Sequence, residues 1–94
     1  MKFILTFTMK PETRDTAIAR FVKTGGQPAK GVTLLGRWTR ADLSGGVVLL
    51  ESHDPMAVAE FALAWSDLME LAVIPVLEDR ELTQVFARAK KEAA

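Results

Sequence analysis

The chain has no cysteine and a single histidine, His53. Without cysteine there is no disulfide and no thiolate metal site. One histidine does not build a usual zinc site, so neither a metal nor a cofactor is expected. Charge of one sign is also missing, since 12 Lys and Arg balance 12 Asp and Glu. A neutral chain has no long-range field to draw it to nucleic acid or to an acidic membrane. Long apolar runs are missing too. Leu71 to Leu77 is uncharged, but it is far shorter than a membrane span and contains Pro75. The reading is a cytoplasmic chain with no nucleic-acid or membrane partner. Its 94 residues are expected to form one domain, residues 1–94. A core this small is limited in stability, and with disulfides and metals excluded, the remaining aid is a partner subunit.

What is present is periodicity. "KFILTFTM" alternates, with Phe3, Leu5, Phe7 and Met9 on one face and Ile4, Thr6 and Thr8 on the other. Despite its one lysine and apolar content it has no small-residue cleavage site, so it reads as a first strand, not a leader. A helix follows, with Pro11 in its first turn and an apolar stripe of Ala17, Ile18, Phe21 and Val22; Gly25 and Gly26 end it. "VTLLGRWTR" reads as strand two, with Val32, Leu34, Gly36 and Trp38 on one face and Thr33, Leu35, Arg37 and Thr39 on the other. Gly36 inside it marks a bulge or a close backbone approach. The turn "ADLSGG" makes a hairpin with strand three, "VVLLES". Asp54 and Pro55 open a second helix, whose stripe is Val58, Phe61, Ala62 and Trp65. "LAVIPVL" is strand four, and "EDRELTQVFARAKK" is a last helix with Leu82, Val85, Phe86 and Ala89 in its stripe.

The order β-α-β-β-α-β-α predicts an α+β fold. Its first six elements match the ferredoxin-like pattern, with an antiparallel four-stranded sheet in order 4-1-3-2 and both helices on one face. Strand four is then an edge, where Pro75 does least harm to the ladder. The second sheet face should be polar, yet it is expected to carry Ile4, Thr6, Thr8, Thr33, Leu35, Val48, Leu50, Ala72, Ile74 and Val76, with Arg37 and Thr39 near one end. Either choice of inner face leaves two largely apolar faces. The C-terminal helix can cover the second one, and a second copy of the sheet covers it better, as a homodimer.

"MKFILTF", "GVTLLGRW", "SGGVVLLES" and "WSDLMELAVIPVLED" together resemble a bacterial family of short proteins known only as a domain of unknown function, within the dimeric α+β barrel group. The resemblance spans Met1 to about Asp79. It implies a ferredoxin-like fold and a sheet-to-sheet homodimer. The wider group includes cofactor-free oxygenases, haem proteins, isomerases and small-ligand regulators, so the fold fixes no chemistry. Where such oxygenases use Asn, Trp and Tyr or His in a cleft, this chain has no Asn and no Tyr, and Thr39 follows the "GRW" tryptophan. No catalytic residue is assigned.

The candidate ligand-binding residues are Arg37, Trp38, Trp65 and Asp67, around a cleft between sheet and helices. Trp38 and Arg37 read either as an aromatic wall with a cation able to hold a carboxylate, or as a tryptophan covered by an extended arginine. Asp67 beside Trp65 reads either as a desolvated acid or base, or as a turn residue binding backbone N–H groups. Glu51 reads either as a partly buried carboxylate or as a strand end that reaches water or pairs with a lysine or arginine, and His53 in "SHDP" either as a proton shuttle or ligand or as an exposed loop residue. Gly45 and Gly46 make the hairpin turn. The expected function is binding of a small, partly apolar molecule by a homodimer. An oxygenase or isomerase of the same group, or a purely structural module, are the alternatives.

Overall fold

A computed structural model describes the backbone of residues 1–93 and the side chains of residues 1–91. The elements are β1 (Lys2–Met9), α1 (Arg14–Thr24), β2 (Thr33–Thr39), β3 (Gly45–Glu51), α2 (Pro55–Trp65), β4 (Met69–Val76) and α3 (Asp79–Ala93). The strands form one antiparallel sheet in the order β2-β3-β1-β4. This is the ferredoxin-like βαββαβ arrangement with a C-terminal helix, and β4 with its proline lies at an edge.

The helix ends follow local chemistry. Asp54 caps α2 by accepting the Met56 N–H at 3.0 Å, with Pro55 at the first helical position. Gly25 closes α1 in the left-handed region, φ 73°, where its N–H reaches the Phe21 carbonyl at 2.7 Å. Helix α1 starts at Arg14 because Pro11–Thr13 form a turn. The Thr13 hydroxyl makes no cap and donates to the Leu68 carbonyl at 2.7 Å, fastening the helix start to the turn before β4.

The core sits between the sheet and α2. It comprises Phe3 and Leu5 of β1, Val48 and Leu50 of β3, and Val58 and Phe61 of α2. The register pairs Leu5 with Val48 and Phe3 with Leu50, so these four point to the helices. This corrects the expectation that placed Val48 and Leu50 on the other face. "VVLL" does not alternate, so only strand pairing decides which pair turns inward. The residues on the second face of β3 are Val47, Leu49 and Glu51.

Strand β2 brings a second correction. Its register slips between Leu34 and Gly36, leaving Leu35 as the extra residue of a bulge. Beyond the bulge the faces exchange. Arg37 and Thr39 turn to the helix side, and Trp38 turns to the open face, where its ring folds over Gly36 and remains 60% exposed. The open face therefore holds Ile4, Leu35, Trp38, Val47, Leu49 and Ile74 between threonines, with Lys2 and Glu51 3.8 Å apart at one end.

Helix α3 does not cover that face. Its stripe residues Leu82, Val85 and Phe86 are exposed. The radius of gyration is 16.2 Å, against about 12 Å for a compact chain of this length. The helix starts at a fixed point, since the Glu81 carboxylate accepts the Glu78 N–H at 3.0 Å and Glu78 pairs with Lys2.

Candidate functional site

Helices α1 and α2 lie on the same sheet face but meet it differently. Helix α2 buries Ala57, Val58 and Phe61, whereas α1 buries only Ala17. Ile18 and Phe21 of α1 remain partly exposed, and Val22, expected in the inward stripe, is 77% exposed. Polar bonds hold α1 in place. On one side Arg20 binds both oxygens of Asp67, at 3.0 and 2.7 Å, and donates to the Ala64 carbonyl at 2.9 Å. Its guanidinium lies over the Trp65 ring, 5.2 Å from the centroid. At the helix C-terminus Arg37 donates to the carbonyls of Gly26 (2.7 Å) and Gly25 (3.1 Å) and stacks on Phe21 at 4.6 Å. A cation at that end suits the helix dipole.

A cavity of about 190 Å³ lies beneath the suspended helix. Leu5, Phe7 and Val48 form its floor, Phe21 and Ile18 its roof, and Phe61 and Trp65 a wall. Arg37 is its one charged lining residue among those described, and Thr39 supplies a hydroxyl. Leu43, from the β2–β3 turn, closes the hairpin end. Its φ of 61° is left-handed, a conformation that costs a leucine about 1–2 kcal/mol. The turn is held by Asp42, which accepts the Ser44 hydroxyl at 2.6 Å and the Ser44 N–H at 3.1 Å. These bonds, with Arg40 beside them, lower the Asp42 carboxyl to about 2.

The structure brings together Arg37 and Trp65 of the four expected residues. Trp38 is turned away by the bulge and borders a shallow hollow on the open face with Thr6, Thr8 and Gly46. Asp67 is at the rim behind Trp65 and does not line the cavity. Its hydrogen bonds from Arg20 hold its carboxyl below the usual carboxylate range and raise the Arg20 guanidinium in turn. The main partner of Asp67 is the Arg20 side chain, and backbone N–H groups of Asp67 and Leu68 in the turn contribute less. Two residues that shape the candidate site were not singled out in the sequence: Arg20, which anchors α1 from outside the cavity, and Leu43, which lines it. Arg20 had a signal, since it lies three residues beyond Ala17 on the inward face. Leu43 had none beyond belonging to a turn. His53 is exposed, and Glu51 pairs with Lys2 across the open face.

Residues 1–90 match the family described as Domain of unknown function (DUF3303), and the chain belongs to that family. No curated protein matches the chain. Among solved structures, that of Rv0793 from Mycobacterium tuberculosis is similar, with a TM-score of 0.49 and 15% identity over 82% of this chain and 94% of that one.

Proposed function

We propose that this member of a family without an assigned activity binds a small, partly apolar molecule in the cavity beneath α1. The observation that carries the reading is the unfilled space itself. Protein interiors close-pack, yet here a half-open space remains where a helix bearing the partly exposed Phe21 and Ile18 is tied by arginine bonds at two points. An engineered apolar cavity of roughly 150 Å³ accepts one benzene ring, so this one suits a single ring or a chain of similar bulk. A leucine kept in the left-handed region to close one end fits the same purpose, because strain gathers at functional sites. The test is Ala17→Leu, which adds bulk from the roof. Ethylbenzene binding, followed by chemical-shift changes at Val48, Phe21 and Trp65, should be present in the parent and lost in the variant while the fold persists. Unchanged binding in Ala17→Leu places the ligand elsewhere and ends this reading. An enzymatic reading would need a proton acceptor in the cavity, and the described lining offers no carboxylate or imidazole.

The proposal includes a second copy of the chain on the open sheet face, giving a two-fold α+β barrel dimer. Strands about 4.8 Å apart and rising about 3.3 Å per residue give that face an area on the order of 400 Å². With the bare stripe of α3 it approaches the roughly 800 Å² per partner of a standard interface. Sedimentation at micromolar concentration should show a dimer, and Trp38→Glu should shift it to monomer. A monomer in the parent protein contradicts the dimer and leaves the cavity proposal standing.

A further inference from the structure

The cavity's walls differ in chemistry from end to end. Its lining is aliphatic and aromatic except at Arg37 and Thr39, which neighbour each other on the helix side of β2. No carboxylate forms an ion pair with Arg37 among the described residues; its partners are the carbonyls of Gly25 and Gly26. A guanidinium carries five N–H donors and stays charged at any physiological pH. Two bonds to carbonyls leave donors over and leave the charge uncancelled. The Thr39 hydroxyl makes no hydrogen bond among the described residues. The contrast with Arg20 is informative. That arginine is neutralised bidentately by Asp67 and lies outside the cavity, behind Trp65. Of the two arginines that hold α1, the one facing the void is the one without a counter-ion.

Resting on the cavity reading above, we propose that the ligand is a monocarboxylate. Its carboxylate bonds to the free N–H groups of Arg37 and to the Thr39 hydroxyl, and its ring or branched chain fills the space between Phe21, Phe61 and Trp65. A charged donor strengthens a hydrogen bond to an anion, and a guanidinium matches a carboxylate in shape. The glycine pair fits this arrangement. Gly26 has φ 60°, and a Cβ there would approach the Arg37 Nη1 and the Phe21 ring to 2.8 Å. The backbone thus makes room for the guanidinium and the ring to stack beside it.

Phenylacetate, its neutral analogue phenylacetamide and the fully apolar ethylbenzene separate the two claims, with binding to the whole protein followed by calorimetry and by chemical shifts. The parent protein should bind the acid about tenfold more tightly than the amide, the difference between charged and neutral hydrogen bonds. In Arg37→Gln the acid should fall to within about twofold of the amide, whatever the variant does to the affinity of the amide itself. Acid and amide binding equally in the parent overturns the carboxylate assignment and leaves the cavity reading intact. So does an acid preference that survives in Arg37→Gln. If none of the three probes binds, both readings fall. If Arg37→Gln frees α1 and abolishes all binding, the comparison in the parent decides, supported by Thr39→Val. That variant leaves the helix anchor in place and should weaken the acid more than the amide; equal weakening counts against the assignment.

Discussion

Helices α1 and α2 have the same length, 11 residues, and lie on the same side of the same sheet. One is packed and the other is suspended. Helix α2 stays by removing Val58 and Phe61 from water, whereas α1 stays through Thr13, Arg20 and the Arg37 bonds to its C-terminal carbonyls. A packed helix leaves no space beneath it. A helix held by hydrogen bonds at three places can bridge a gap, and in the proposed reading that gap is the place for a ligand. On the binding proposal, the same fold divides its two helices between stability and binding.

The largest test of that division is truncation of one phenylalanine in each helix. Phe61→Ala should cost about 3 kcal/mol in urea denaturation. Phe21→Ala, at a side chain 43% exposed, should cost less than about 1 kcal/mol while abolishing the binding of ethylbenzene and phenylacetate. Equal costs would mean that α1 is packed after all. Gly26→Ala comes next. It forces a left-handed alanine against Arg37 and Phe21, so a loss of about 1–2 kcal/mol should come with weaker acid binding. Asp67→Asn loosens the Arg20 anchor of α1. With Trp38 replaced by Phe, the emission of Trp65 should shift as the Arg20 guanidinium leaves its face, while the urea midpoint changes little.

Acid should give the smallest effect. The folded carboxyl of Asp67 is depressed by Arg20 below 3.8. Its contribution is therefore complete above the unfolded value and is lost as pH falls through the folded one. Asp42 behaves alike, losing its hold on the β2–β3 turn between 3.8 and about 2. Both groups are on the surface, so the loss should be confined to α1 and the turn. A pH titration of backbone amide shifts should show these two regions moving before α2 does.

Most of the architecture was legible from periodicity and caps. Asp54–Pro55, the Gly25–Gly26 stop and Pro75 on an edge strand each followed from local chemistry, and the strand order followed from the element order. The faces of β2 and β3 were not. "VVLL" is apolar on both sides, and a period-2 reading of "TLLGRWT" breaks at an inserted residue. Gly36 was a visible sign of that bulge, but its consequence, the exchange of Arg37 and Trp38 between faces, depends on which residue is left unpaired. Arg37 and Trp65, which line the same cavity, were singled out because an aromatic and a cation in an apolar chain are conspicuous. Arg20 was missed because a stripe search counts only apolar residues, and here the inward face of the helix is anchored by a charged one.

The most direct measurement is hydrogen exchange of the two helices in the ligand-free protein, read residue by residue. The amides of Ala17–Phe21 should exchange through local opening, orders of magnitude faster than those of Val58–Ala62, which should open only with global unfolding. Adding phenylacetate should slow the first set and leave the second unchanged. Equal protection of both helices without ligand would contradict the claim that α1 is suspended over a vacant site.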